Sequence, residues 1–173
     1  MFHDLAPRRI LFVCLGNICR SPAAEGVFAK LATKAGLHER GFSWDSCGTG
    51  GWHEGDLPDK RMIDAAAKRG ITLTHRARKL TEADFSDFDL FLTMDSANYG
   101  EVCSMAPNKA VLYKVKPIVD YLRSMESSHV PDPYYLDADA FEYVLDLVED
   151  ACTTLVAELK AAENSGVRVA AKE

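Results

Sequence analysis

The chain has 173 residues, of which 47% are apolar and 27% are charged, and its formal net charge at pH 7 is −6. This length suits one domain with a single core, and the acidic balance argues against a general binder of nucleic acid or of anionic membranes. The five cysteines form an odd set without paired spacing, which argues against a secreted disulfide framework. The apolar run at residues 10–15 is too short for a signal peptide or a membrane span. We therefore expect a cytoplasmic protein with one domain over residues 1–163 and a flexible tail over residues 164–173.

The first predicted elements are a strand, a loop and a helix. Residues 9–13 form a short apolar run that is typical of a buried parallel strand. Ser21 and Pro22 suit the N-cap and the first position of a helix, which continues to Lys34 and can end at Gly36. The loop between strand and helix then lies at the carboxyl edge of the sheet, where open α/β sheets bind their ligands.

The rest of the chain continues the alternation of strands and helices. Further strands are predicted at residues 42–48, 88–94 and 110–115, and further helices at 58–69, at 96–104 with Asp95 as a cap, and at 141–159, with a short capped helix beginning near 81–84. Such alternation predicts an α/β fold with an open twisted sheet of four parallel strands flanked by helices.

The loop after the first strand carries the chemistry. Cys14 ends the strand, and Arg20 follows six positions later at the mouth of the helix. A free cysteine thiol has a pKa of about 8.5, but backbone N–H groups, a helix N-terminus and an arginine stabilise a thiolate and also bind a phosphate dianion. Gly16 and Asn17 tolerate positive φ, which lets the backbone N–H groups turn inward, and the Ser21 hydroxyl can donate to the sulfur. The predicted phosphate-binding loop residues are Leu15, Gly16, Asn17, Ile18, Cys19 and Ser21.

A thiolate that attacks phosphorus must expel an alkoxide or a phenoxide, so a proton donor is expected elsewhere in the chain. Asp132 is the candidate, because Pro131 and Pro133 keep its segment out of a helix. Tyr134 and Tyr135 follow it and can form the aromatic walls of a pocket. Alone, this segment is also compatible with an exposed Asp-Pro turn, and its pairing with the cysteine loop favours the catalytic interpretation.

Together these motifs resemble the low-molecular-weight protein tyrosine phosphatases, whose loop is a cysteine, five residues, an arginine and a serine, and whose acid lies in a late Asp-Pro-Tyr segment. The resemblance covers about residues 9–160 and implies a phosphotyrosine-protein phosphatase that uses no metal or other cofactor. It implies that Cys14 is the nucleophile, that Arg20 holds the phosphoryl oxygens and that Asp132 is the general acid. It further implies loop support by Asn17, Ser21 and His75, a pocket rim of Trp52, Tyr134 and Tyr135, and Cys19 as a redox partner of Cys14.

Two alternatives remain open from the sequence. A thiol-dependent arsenate reductase would use the same loop but needs further cysteines, and none occurs between Cys47 and Cys103. A non-catalytic phosphate-binding module would not need Asp132. Cys14 and Cys19 also have the spacing of half a zinc site, but no second ligand pair accompanies them, so no metal is expected. The expected partners are phosphotyrosine proteins, with inorganic phosphate or vanadate as inhibitors, and a monomer is expected.

Overall fold

A computed structural model of the protein describes residues 6–165. In it, four parallel strands form one sheet in the order β2-β1-β3-β4. The strands are β1 (Arg9–Cys14), β2 (Ser43–Gly48), β3 (Leu90–Thr93) and β4 (Val115–Pro117). The predicted fold, an α/β sheet of four parallel strands flanked by helices, is confirmed. The carboxyl end of β1, where Cys14 lies, is therefore flanked by the ends of β2 and β3.

Helices cover both faces of the sheet. They are α1 (Arg20–Lys34), α2 (Lys60–Ala67), α3 (Asp84–Asp87), α4 (Ser96–Met105) and α5 (Ala138–Asn164), with 3₁₀ turns at His38–Arg40, Lys109–Lys114 and Ile118–Tyr121. Because successive strand residues point to opposite faces, Ile10 and Phe12 pack with the buried sides of α1, α2 and α5, whereas Leu11 and Val13 pack with α3 and α4. Strand β1 is thus buried on both sides, which fixes the start of the cysteine loop.

The predicted fourth strand at 110–115 is wrong for most of its length. Residues Lys109–Lys114 form a 3₁₀ helix, and β4 begins only at Val115. The Asn108 side chain accepts the N–H of Ala110 and caps this turn, and the Lys114 amino group donates to the carbonyl oxygens of Phe85 and Phe88. These contacts hold the segment away from β3, so that only the three residues of β4 join the sheet.

The start of α1 also differs from the prediction. The helix begins at Arg20, and Cys19 rather than Ser21 is its N-cap, without a side-chain cap bond. The Ser21 hydroxyl instead turns inward to the sulfur of Cys14, at 3.0 Å. A contact in the site therefore replaces the local cap that the sequence pattern predicts.

The structure does not describe the first and last residues of the chain. Helix α5 ends at Asn164 with Ser165 as its C-cap, so it continues one residue beyond the predicted domain boundary. The remainder of the predicted tail, residues 166–173, lies outside the described residues, as do residues 1–5. Among the helices between residues 6 and 165, none is both long enough and apolar enough to cross a membrane.

Candidate active site

The phosphate loop, residues 14–21, wraps around the sulfur of Cys14. Cys14 is 2% exposed at the end of β1. Asn17 adopts a positive φ of 57°, and its backbone N–H donates to Cys14 Sγ over 3.3 Å. The Ser21 hydroxyl lies 3.0 Å from the same sulfur. The sulfur therefore lies within hydrogen-bond distance of the Asn17 N–H and the Ser21 hydroxyl, close to the N-terminus of α1.

The chain after β2 supports this loop from one side. The N–H of Thr49 donates to the carbonyl oxygen of Cys14, and the N–H of Gly50 donates to that of Leu15, both over 2.9 Å. At Gly48 a Cβ atom would lie 2.6 Å from the Leu15 carbonyl oxygen and 3.1 Å from the backbone nitrogen of Asn17. Since those atoms are backbone and cannot swing aside, only glycine allows β2 to approach the loop so closely.

The Asn17 side chain joins the loop to the rest of the molecule. Its Oδ1 accepts the backbone N–H of Arg78 over 3.0 Å and lies 2.9 Å from His75 Nε2. Its Nδ2 therefore faces the hydroxyls of Ser21 and Ser46 and donates to them over 2.8 and 2.9 Å. Because Ser21 Oγ accepts from Asn17, its own hydrogen faces two acceptors, the sulfur of Cys14 at 3.0 Å and the carbonyl oxygen of Cys47 at 3.3 Å.

A group of charged side chains lies beneath the loop. Glu25 accepts from Ser46 Oγ over 2.7 Å, and Arg78 pairs with Asp45 over 2.9 Å. Burial raises the pKa of Glu25 to about 7, opposed by the Ser46 hydrogen bond and helped by Asp45. Burial also lowers the pKa of His75, although the negative charge of Asp45 opposes that shift.

Within the described residues, these side chains also form the one cluster whose geometry could hold a metal ion. Potential ligand atoms of Glu25, Asp45 and His75 lie within 4.8 Å of one another. Ser46, Arg78 and Asn17 already pair with these three side chains. We therefore assign the cluster to the support of the phosphate loop.

Arg20 lies on the other side of the sulfur and is almost completely buried. Its Nη1 donates to Asp95 Oδ2 over 2.6 Å and to the Val130 carbonyl oxygen over 3.0 Å. Its Nη2 lies 3.5 Å from Asp132 Oδ2. Burial would raise the pKa of Asp95, but the N–H of Asn98 and the guanidinium of Arg20 outweigh it and lower that pKa. Arg20 is therefore held by anchored acceptors on one edge, which directs its other edge toward Asp132.

The loop, Arg20 and Asp132 face one cavity of about 330 Å³. The side chain of Asp132 is 45% exposed, and its Oδ1 accepts the N–H of Tyr134 over 3.2 Å. Trp52 and Tyr135 stand at the cavity mouth and are 73% and 93% exposed. The cavity is lined by Cys14, Leu15, Gly16, Ile18, Cys19, Arg20, Trp52, His53, Asp132, Tyr134 and Tyr135. A thiol and an arginine at a cavity floor with a carboxyl group at its side are the groups needed for phosphoryl transfer to cysteine.

Comparison with known proteins agrees with this geometry. The chain matches the family model of the low molecular weight phosphotyrosine protein phosphatases over residues 9–165. The chain belongs to this family. A low molecular weight phosphotyrosine protein phosphatase of Schizosaccharomyces pombe is 46% identical over 133 residues, which cover 77% of this chain and 85% of that protein. The low molecular weight protein-tyrosine-phosphatase YfkJ of Bacillus subtilis is 41% identical over 152 residues, which cover 87% of this chain and 95% of YfkJ.

A solved structure supports the same family assignment. A crystal structure of a protein tyrosine phosphatase from Entamoeba histolytica is similar with a TM-score of 0.86 and 39% identity, covering 90% of this chain and 98% of that one. The family resemblance seen in the sequence is thus confirmed, and with it the enzyme class of protein-tyrosine phosphatase.

The structure brings most of the predicted site residues of this phosphatase into the cavity wall, but not all of them. The side chains of Asn17, Ser21 and His75 lie beneath the loop, where they form the hydrogen bonds described above. Cys19 is buried in the wall, and burial raises the pKa of its thiol well above the usual value. Its thiol is free in the structure, as is that of Cys14.

Several side chains of the site lie outside the set of predicted site residues. His53 lines the cavity, with Cδ2 3.1 Å from the place where a Cβ of Gly16 would lie, and its Nδ1 is 3.2 Å from Asp56 Oδ2. Asp95 caps α4 as predicted, but it also pairs with Arg20. The position of Asp95 just after β3 is a usable signal, since the carboxyl ends of neighbouring parallel strands meet at one edge. Ser46 and Arg78 carry no such local signal.

Proposed function

We propose that the protein hydrolyses phosphotyrosine in proteins through a cysteinyl-phosphate intermediate, without a metal ion. The observation that carries the proposal is the meeting of Cys14, Arg20 and Asp132 at one cavity, with donors on the sulfur and with Arg20 3.5 Å from the carboxylate. Family membership supports the same reaction.

In the first step, the Cys14 thiolate attacks phosphorus and the bond from phosphorus to the tyrosine oxygen breaks. Asp132 gives its proton to that oxygen, and the free tyrosine side chain leaves. Arg20 and the loop N–H groups bind the three remaining phosphoryl oxygens and stabilise the negative charge of the transition state. Asn17, Ser21 and His75 act by holding the loop, because their side chains lie beneath it.

In the second step, water attacks phosphorus and the phosphorus–sulfur bond breaks. The Asp132 carboxylate accepts a proton from the water, which releases inorganic phosphate and regenerates the thiolate. Each group thus returns to its starting state, and no redox partner is required.

The cavity shape supports an aryl substrate. Trp52, Tyr134 and Tyr135 line the same cavity as Cys14, and Trp52 and Tyr135 are largely exposed. Aromatic walls favour a flat phosphotyrosine ring, whose length places phosphorus at the cavity floor, over a short phosphoserine. We further propose that the substrates are proteins and that the enzyme is a monomer in the cytoplasm. The proposal includes no nucleic-acid or membrane partner.

Hydrolysis of p-nitrophenyl phosphate tests the reaction class. We expect turnover that resists excess chelator and is inhibited by vanadate and by inorganic phosphate. Loss of activity in chelator would contradict the metal-free mechanism. Arsenate reduction without phosphatase activity would favour a reductase, and tight phosphopeptide binding without turnover would favour a binding module.

Cys19 is proposed as a redox partner of Cys14. A peroxide would oxidise the Cys14 thiolate to a sulfenic acid, and the Cys19 thiol would condense with it to a disulfide with release of water. Both sulfurs line the same cavity, which supports this pairing. We expect dithiothreitol to restore activity after treatment with excess peroxide in the wild type but not in Cys19→Ser, where the Cys14 sulfenic acid would be oxidised further to a sulfinic acid that dithiothreitol does not reduce. Equal recovery in both would contradict the pairing.

A further inference from the structure

The acid segment, residues 131–136, contains neither helix nor strand. Its internal hydrogen bonds run from the Tyr134 N–H to Asp132 and from the Leu136 N–H to the Pro133 carbonyl oxygen. From the rest of the described chain it receives one hydrogen bond, donated by Arg61, besides the ion pair of Arg20 with Asp132. The orientation of the carboxyl group therefore depends on few contacts.

Arg61 makes that hydrogen bond as part of a fixed arrangement. Its Nη2 donates to the Tyr134 carbonyl oxygen over 3.0 Å, and its guanidinium lies 5.5 Å from the centre of the Tyr134 ring. It also lies 4.6 Å from the centre of the Phe141 ring, at the start of α5. Its Nε and Nη2 donate to the two carboxylate oxygens of Asp59 over 3.0 and 2.8 Å. A planar fork is needed for this combination, and a lysine amino group cannot provide it.

Asp59 connects this arrangement to the phosphate loop. Its backbone N–H donates to the Ile18 carbonyl oxygen over 2.8 Å. Its carboxylate accepts the Arg61 N–H over 2.9 Å and caps α2. The hydrogen bonds from Arg61 lower the pKa of Asp59, which keeps the carboxylate charged at neutral pH. A continuous path of contacts thus runs from Ile18 through Asp59 and Arg61 to Tyr134.

We propose that Arg61, held by Asp59, is a positioning residue that sets Asp132 relative to Cys14. It acts by fixing the Tyr134 carbonyl group, two residues after the acid. The inference rests on the proposed function, in which Asp132 protonates the leaving oxygen. The Arg61 side chain is 48% exposed, so its ion pair adds little to global stability and its main effect is on the placement of the acid.

The choice of leaving group tests this role. Phenolate is a stronger base than p-nitrophenolate and depends more on protonation as it leaves. We expect Arg61→Ala to lower kcat/KM, which reports only the steps up to cleavage of the phosphorus–oxygen bond, by about 10-fold or more for phenyl phosphate and by less than about 2-fold for p-nitrophenyl phosphate. A uniform loss on both substrates, or no loss on either, would overturn the proposal.

Two further variants sharpen the test. Arg61→Lys keeps the positive charge without the fork, so we expect it to show the same preference for the better leaving group; wild-type rates would overturn the proposal. It also provides the test if the alanine variant melts below the assay temperature. Arg76→Ala is the matched control, because Arg76 is exposed and donates to the Gly55 carbonyl oxygen over 3.0 Å, away from the acid segment.

A double-mutant cycle separates positioning from general structural damage. If Arg61 acts through Asp132, Arg61→Ala should change kcat/KM for phenyl phosphate by less than about 2-fold in the Asp132→Ala background. An equal loss in both backgrounds would overturn the inference. Failure of the proposed function itself is recognised independently, since the wild type would then show no turnover or Cys14→Ser would retain it.

Discussion

The phosphate loop and the acid segment meet in one cavity but are held by different kinds of contact. The loop is supported from below by the buried Asn17, which bonds to Ser21, Ser46 and the backbone of Arg78. The acid segment is held by the half-exposed Arg61 and, through the 45% exposed Asp132 side chain, by the buried Arg20. A buried polar group that loses its partner lowers stability, whereas an exposed ion pair contributes little. Mutations should therefore separate activity from stability in the acid segment but not in the loop support.

The largest effect is expected at the sulfur itself. Cys14→Ser removes the thiolate but keeps a small side chain, so the loop N–H groups and Arg20 should still bind an anion. We expect kcat to fall by at least about 10⁴-fold, with inorganic phosphate still bound at similar affinity. Steady-state hydrolysis and calorimetric titration with phosphate measure the two quantities. Loss of phosphate binding in this variant would contradict the view that the buried supports hold the phosphate loop, because the loop would then depend on the sulfur for its shape.

Asp132→Ala comes next. We expect kcat for phenyl phosphate to fall by about 10²–10⁴-fold, which is the usual contribution of a general acid. The melting temperature should not change measurably, because this side chain is 45% exposed and accepts one local hydrogen bond, and because Arg20, its ion-pair partner at 3.5 Å, keeps its contacts with Asp95 and Val130. Circular dichroism and kinetics on the same preparation check both. A large loss of stability would show that the acid segment is part of the core support after all.

The same contrast explains what could be predicted from sequence. The cysteine, the arginine and the strand–loop–helix order are local, since each depends on residues within one short stretch. Asp132 could be predicted because its flanking prolines are a local signal for a stiff loop. For the loop support, the family resemblance indicated Asn17, Ser21 and His75. The parts played by Ser46 and Arg78 could not be predicted, since both reach Asn17 only through tertiary contacts.

The role of Arg61 was not predicted, and the fourth strand was predicted at the wrong residues, for related reasons. In the sequence Arg61 is an ordinary charged residue of a predicted helix. Its role depends on where the acid segment passes in space. The stretch at 110–115 has a strand-like composition, but the capping contact of Asn108 and the distant carbonyl oxygens that bind Lys114 favour a 3₁₀ helix. In both cases a contact with a distant part of the chain, from Arg61 to Tyr134 and from Lys114 to Phe85 and Phe88, is not visible in the local sequence.

Gly48→Ala tests the loop support with a smaller change. A methyl group there would overlap backbone atoms of Leu15 and Asn17, so we expect a loss of about 2–3 kcal/mol in the free energy of unfolding and a lower kcat. Gly100→Ala is the matched control, because Gly100 lies within α4 with open space around it and should gain about 0.5–1 kcal/mol. Urea unfolding measures both. If Gly48→Ala changed neither the free energy of unfolding nor kcat, the phosphate loop would be no more rigid than the acid segment.

The smallest predicted effect concerns the proton held beneath the loop. Glu25 faces Ser46, Asp45, His75 and Arg78, and burial raises its pKa to about 7. In the unfolded chain a glutamate has a pKa of about 4.3. Between these values the folded protein binds more protons than the unfolded chain, so this group lowers stability as pH rises from about 4.5 to about 7.

Glu25→Gln should remove that part of the pH dependence. Each pKa unit corresponds to about 1.4 kcal/mol, and partial solvation reduces the total, so we expect the wild type to lose about 1–2 kcal/mol more than the variant between pH 5 and pH 7.5. Urea unfolding at the two pH values measures this difference, and Glu101→Gln, on the exposed side of α4, should follow the wild type. Parallel pH curves for wild type and Glu25→Gln would contradict the prediction. A difference would show that protonation beneath the phosphate loop is linked to folding, which follows from the burial of its supports.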